Sequence, residues 1–287
     1  MKKYIPHICI LIAGIIWGMI GLFNRHLIAG GFTPAHIVLT RNFGGLLLMT
    51  VLFFITDRSV FRIKLRHLPY FLGTGVVSIV IFTLMYFSCQ AQCSLAVAAI
   101  LLYTAPAFVM ILSAFLFHEP VTKNKIFALI LAFAGCIFVS GILKGELSVT
   151  LFGLLSGIGS AFFYALYSIF ARYALAHYKP LTVTYYTFVC AGLASFFVAS
   201  PGEVTTLMAS SVAIPFYALG MIVISTVLPF MLYTKGLSQV ESSKASILAS
   251  VEPVSAAIVG ILAFGEPMSA SVILGLGCVL GSVYILR

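Results

Sequence analysis

One stretch of this chain is written twice. Laid without a gap, Tyr86 to Pro120 falls on Tyr233 to Pro267, and the copies agree at Tyr86/Tyr233, Gln92/Gln239, Ala98/Ala245, Ile100/Ile247, Leu101/Leu248, Pro106/Pro253, Ile111/Ile258, Phe117/Phe264, Glu119/Glu266 and Pro120/Pro267. Shared apolar bias can match isoleucine with isoleucine. It does not place a proline, a glutamate and a second proline at the same intervals in a chain with 7 acidic residues. The offset is 147 in a chain of 287, and at that offset Trp17 also falls on Tyr164, Phe23 on Phe170 and Arg25 on Arg172. The chain is an internal duplication, divided here as residues 1–146 and 147–287, with one supersecondary unit made twice.

The solvent of that unit follows from its side chains. Hydrophobic residues are 62% and charged ones 8%, far below the roughly 25% charged of soluble domains. A hydrocarbon core about 30 Å thick needs about 20 apolar residues per helix. Ten such runs are present, at 5–26, 34–55, 69–89, 94–117, 125–143, 150–173, 181–199, 212–233, 244–264 and 270–286. The expected fold is therefore an all-α integral membrane protein with ten transmembrane helices, leaving no room for a soluble catalytic or receptor domain. The lysines before Ile5 imitate a secretory signal, but no small-x-small cleavage site follows, and the run reads as a retained first helix.

The net charge of +9 does not point to nucleic acid, because the basic residues lie in short connections between apolar runs and report orientation. With a cytoplasmic N-terminus, that side holds Lys2, Lys3, Arg58, Arg62, Lys64, Arg66, Lys123, Lys125, Arg172, Lys179, Lys235, Lys244 and Arg287. The other side holds Arg25 and Lys144, and Arg41 lies inside a helix, so the 16 divide 13, 2 and 1. Both termini are expected in the cytoplasm of a cell whose plasma or inner membrane the chain crosses. Five helices per repeat is an odd number, so the second repeat enters from the opposite side. Such inverted repeats build secondary transporters, with the substrate near the midplane where the repeats meet.

A few residues are costly where they stand. Trp17, about halfway along the first run, is away from the interfacial belts that tryptophan prefers, so it either packs inside the bundle or lines a cavity. Gly14, Gly18 and Gly21 share its helix on one stripe that admits close helix approach. Arg41 lies seven residues after Pro34, about 10 Å inside the boundary. A charge at the helix centre costs roughly 2.5 to 3.5 kcal/mol on insertion scales, which leaves two readings for Arg41, snorkelling to headgroups or facing the bundle interior. Glu252 is the one acid placed deep, beside Pro253, and its readings are a proton carrier, a partner of Arg41 or of a cationic substrate, or a protonated group on a freed carbonyl. Pro106 and Pro253 remove backbone hydrogen bonds and kink their helices, which lipid tolerates only beside protein or a wet cavity. Tyr164 and Tyr167 share a face suited to a planar substrate or to ordinary packing. Glu119-Pro120 and Glu266-Pro267 read as acids at the N-termini of the helices that follow them. Pro215 and Pro229 have no counterparts in the first half, so the repeats are not identical mechanically. The six cysteines, Cys9, Cys89, Cys93, Cys136, Cys190 and Cys278, lack C-x-x-C spacing and read as small hydrophobes, with a Cys89–Cys93 disulfide as the alternative.

Taken in order, Trp17-Gly18 with Arg25, Arg41, Pro106 with Phe117-His118-Glu119, Tyr164-Ala165-Leu166-Tyr167 with Arg172, and Glu252-Pro253 with Phe264-Gly265-Glu266 resemble an EamA-type member of the drug/metabolite transporter superfamily. The likeness spans the chain and departs at His118, where the family more often has glycine. The resemblance implies two inverted five-helix repeats around a central cavity and transport, often export, of amino acids or related metabolites. The function expected is alternating-access movement of a small-molecule substrate across the bilayer, outward, with protons as a candidate coupling ion. Trp17, Tyr86, Tyr103, Tyr164 and Tyr233 would form cavity walls, Arg41 would hold a carboxylate or fix the bundle, and Glu252 would couple protonation or read an amine. Neither a metal nor another cofactor is called for. An intramembrane enzyme on a lipid-linked substrate is the rival, against which stands the lack of H-E-x-x-H or G-x-S-x-G at membrane depth. A sensor or scaffold would need an output domain, and a channel would not need inverted halves.

Overall fold

The computed structural model describes residues 4–140, 142 and 150–286. Lys2, Lys3, Lys144 and Arg287, counted above, and part of the run at 125–143 lie outside the described residues. All regular structure among the described residues is helical. Nine helices there are long and apolar enough to cross a bilayer: α1 (Ile5–Ala29), α2 (Pro34–Thr56), α3 (Leu65–Gln92), α4 (Leu95–Phe117), α5 (Lys123–Ser140), α6 (Leu151–Leu175), α7 (Pro180–Phe197), α8 (Ala213–Leu237) and α9 (Ser242–Phe264). The tenth, α10 (Ala270–Ile285), is apolar with 16 residues, about 24 Å of helix. Ten is thus an approximate count, met by nine full spans and one short one. Large apolar side chains such as Ile55, Phe115 and Leu262 are exposed around the outside, as a lipid-facing perimeter requires.

The repeats interlock rather than lie side by side. Helix α1 packs on α8, and α6 packs on α3; α1 also meets α9, and α6 meets α4, while α2 pairs with α7 and α5 with α10. A shift of 147 residues exchanges the first pair with the second and the third with the fourth, and maps α2–α7 and α5–α10 onto themselves. Small residues permit the close crossings, because between helices in lipid van der Waals packing replaces the hydrophobic drive. A Cβ on Gly18 would stand 2.6 Å from Glu252 O and 2.7 Å from Ala256 N, and one on Gly75 would stand 2.4 Å from Thr187 O. Gly14 makes the same kind of contact with α9, but Gly21 faces open space and is not part of the seam.

The interruptions also come in matched pairs. Helix α4 breaks at Tyr103–Thr104 and α9 at Ser250–Val251, with Pro106 and Pro253 each in the second position of the half-helix that restarts. The prolines open new half-helices rather than bend continuous ones. Helix α1 also restarts, at Met19, whereas α6 is continuous. Helices α3 and α8 widen into π turns at Gly73–Ile81 and Val223–Val227, which overlap at the 147 offset. Pro229 follows the second π stretch and nothing comparable follows the first, so proline is not what makes them.

Tyr4, Lys244 and Leu286 line one groove, which puts the described chain ends and the start of α9 on one face, here the terminal face. Lys64 N donates to Tyr178 Oη at 2.9 Å and Tyr186 Oη to Phe61 O at 2.8 Å, so the α2–α3 and α6–α7 connections share that face. The opposite, distal face holds the ends of α1 and α9. There a short helix, Pro201–Ala209, is tied to α2 by His36 Nε2 and Glu203 Oε2 at 2.8 Å.

Candidate functional site

A small central cavity of about 100 Å³ lies where the repeats cross. Trp17, Arg41, Tyr164, Tyr233 and Glu252, from five different helices, all line it. Tyr103 lies in a neighbouring recess with Pro106, Ser250 and Glu252, which shares Leu102 and Tyr164 with the main cavity. Tyr86 does not line either; it stands beside the cavity, ring to ring with Phe82 at 6.1 Å. Pro253 is buried at the α9 break.

Glu252 is the first residue of the restarted half of α9, so its carboxylate sits at the positive end of that half-helix. The break is held by hydroxyls: Ser250 Oγ donates to Ser246 O at 3.3 Å. Across the seam, Ser255 Oγ donates at 2.7 Å to Ile15 O, a carbonyl next to the α1 restart. Each irregular turn thus has a polar partner inside protein, as the bilayer demands. Arg41 does not snorkel. It reaches the cavity, its Nε is buried without a hydrogen-bond partner, and neighbouring Asn42 Nδ2 donates to Ser195 Oγ at 3.0 Å to fix α2 on α7. Among the described residues Arg41 and Glu252 form no ion pair within 4.0 Å, although they share the cavity. Two opposite charges, held apart and facing one space, suit a ligand that carries both.

The wall toward the terminal face is packed. Trp17 meets Phe230 at 5.2 Å and Tyr233 at 5.3 Å, and Tyr167 meets Phe230 at 5.3 Å. Tyr167 Oη and Thr234 Oγ1, and Ser168 Oγ and Tyr233 Oη, are each 2.8 Å apart. All four aromatics are buried. At the 147 offset these positions become Tyr164, Thr83, Tyr86 and Ile20, and here the packing is loose: Gly21, the counterpart of Ser168, faces open space. The tightly packed wall of the cavity is therefore the one toward the terminal face.

Sequence reasoning did not single out Phe230, Phe82, Ser168, Ser78 or Thr83, which also line the cavity. An ordinary residue in an apolar run gives no signal. The six cysteines are free, with Cys89 buried and Cys93 half-buried. Among the described residues no group of three or more His, Cys, Asp or Glu could hold a metal ion.

Two interlocked helical repeats, apolar enough to span a bilayer, around a largely apolar cavity that holds Arg41 and Glu252 define a multi-pass membrane transporter. The chain belongs to the EamA-like transporter family, whose model matches twice, at residues 5–141 and 151–287. Among its relatives is an "Uncharacterized transporter" of Archaeoglobus fulgidus, 29% identical over 278 residues, which are 96% of this chain and 94% of that one. Another is "Uncharacterized inner membrane transporter YicL" of Salmonella typhimurium, 26% identical over 260 residues, 88% of this chain and 85% of that one. A solved structure described as "Crystal structure of protein" superposes with a TM-score of 0.80 at 16% identity, covering 98% of this chain and 95% of the other, and shares the fold.

Proposed function

We propose that this chain exports small zwitterionic metabolites of the amino-acid class from the cytoplasm by alternating access, with the terminal face in the cytoplasm and 1–146 and 147–287 as the two moving repeats. The observation that carries the reading is the pair of unmated opposite charges, Arg41 and Glu252, in one cavity. Arg41 takes the carboxylate, in the paired geometry guanidinium favours. Glu252 takes the ammonium group, and when no substrate is bound it can take a proton instead, which would couple export to the proton gradient. Trp17, Tyr164 and Tyr233 wall the site, with Tyr103 and Tyr86 at its margins. Nothing in this reading needs a cofactor.

The test is efflux of radiolabelled amino acids from loaded proteoliposomes, with and without a pH gradient. Flux should saturate, and Arg41→Gln should lower it about 10- to 100-fold, the loss of one charge-assisted interaction. Glu252→Gln should abolish the response to the gradient. Unchanged flux and pH dependence in Glu252→Gln would remove that residue from the mechanism, and product formed from a lipid-linked substrate would point to an enzyme instead.

A further inference from the structure

Four charged residues outside the cavity sit at pseudo-equivalent places and make non-equivalent bonds. On the terminal face Glu119 is buried, and it does not serve α5, the helix that follows it. Its Oε1 accepts from Ser242 N at 2.7 Å and its Oε2 from Ser243 N at 3.1 Å and Ser243 Oγ at 2.5 Å, so it caps α9, a helix of the other repeat. Beside it, Arg172 Nη1 donates to Leu237 O at 2.8 Å and Val240 O at 3.0 Å, where α8 ends. At the 147 offset Glu119 becomes Glu266 and Arg172 becomes Arg25. On the distal face these two make neither bond. Arg25 and Glu266 pair with each other, both side chains about half exposed, and the guanidinium lies over the Phe264 ring at 4.1 Å. The counterparts of Ser242 and Ser243 are Leu95 and Ala96, at the start of α4, whose capping hydroxyl comes from its own Ser94, on Val97 N at 3.3 Å.

We infer that Arg25, Glu119, Arg172 and Glu266 are the gate residues of the transport cycle and exchange their bonds between its two states. In the state shut on the terminal face, Glu119 caps α9, Arg172 holds the end of α8, and Arg25 pairs with Glu266. In the other state Glu119 pairs with Arg172, Glu266 caps α4 at Leu95 and Ala96, and Arg25 takes the carbonyls of Gln90 and Cys93, the counterparts of Leu237 and Val240. Two repeats of one construction can each adopt the other's shape, so every charge keeps a partner through the exchange. The states stay close in energy, as a switch requires. The terminal latch has one addition, Lys125, fully buried, 2.9 Å from Pro120 O and 2.8 Å from Glu241 Oε2 at an angle outside hydrogen-bond geometry. Its distal counterparts are Val272 and Ser94, which cannot pair, so the terminal latch is the stronger.

The inference rests on the alternating-access reading, and the test separates the two. Spin labels are placed at exposed positions on the terminal side, Val121 and Gln239, and on the distal side, Gln92 and Met268, which are the same pair moved by 147. Cys93 and Cys278, the two half-buried cysteines, are replaced by serine. Distances are then measured by pulsed electron resonance in the full-length protein in lipid. Glu119→Gln loses a buried three-bond cap in the present state and an exposed pair in the other, so it should shift the ratio of states about tenfold toward terminal-open. Glu266→Gln is exposed here and leaves folding intact, and it should shift the ratio about as far the other way, with the double variant between. Single-variant shifts in one direction, or a longer terminal distance without a shorter distal one, would overturn the gate. Terminal and distal distances that never move in opposition, in any variant, would overturn alternating access itself.

Discussion

His118 shows how the repeats reach one backbone shape from different side chains. It ends α4 in the left-handed region with φ 54°, and its counterpart at the end of α9 is Gly265 with φ 68°. A side chain there costs about 1 kcal/mol that glycine avoids, and His118 is exposed, so its ring has little packing to lose. His118→Gly should therefore raise stability by about 1 kcal/mol, read as a higher midpoint of thermal unfolding in detergent. The deep charges break the symmetry in the opposite sense: the counterpart of Arg41 is Phe188 and that of Glu252 is Ala105. The scaffold is doubled, but the charges in the cavity are single. Trp17, Arg41, Tyr164, Tyr233 and Glu252 were legible as cavity residues because a charge or a large amphipathic ring is expensive in hydrocarbon and needs a reason. Phe230 and Ser168 were not, since neither is out of place in an apolar helix.

At the scale of single helices, the breaks in α4 and α9 were announced by Pro106 and Pro253, because proline removes a bond that lipid will not replace. The π turns of α3 and α8 were not announced. Within Gly73–Ile81, Ser78 Oγ donates to Gly73 O at 2.8 Å, five residues back, an arrangement no periodicity reports. Glu119 was assigned to the helix after it, and Glu266 likewise, because sequence neighbours are visible and spatial ones are not. The seam between α1 and α9 carries its own expectation. At Gly18 an added methyl meets two backbone atoms, Glu252 O and Ala256 N, and Ser255 Cβ, none of which can turn away. Gly18→Ala should push α1 off the α9 break, cost about 1 to 3 kcal/mol, and lower transport by displacing Glu252. Thermal unfolding and proteoliposome flux check the two parts, and a variant as stable and active as the parent would show the seam to be slack.

For the whole molecule, the arginines and lysines divide by face. Arg58, Arg62, Lys64, Arg66, Lys179 and Lys244 belong to the terminal face and Arg25 to the distal one. If charge bias sets orientation, thiol reagents that do not cross membranes should label cysteines placed within 57–67 and within 176–179 only in opened cells, and cysteines within 265–269 in intact ones. Labelling of the first two in intact cells and of the third only in opened ones would reverse the direction of transport proposed. The number of spans, the duplication and its inverted sense follow from the sequence, because a bilayer prices each apolar run and each charge locally, one helix at a time. How the two repeats interlock was decided only in three dimensions. So was the helix that Glu119 caps, and so was which wall of the cavity is tightly packed. Those depend on close approach between segments far apart in the chain, where a glycine, a hydroxyl and a carbonyl meet, and helix-by-helix hydropathy contains no term for that meeting.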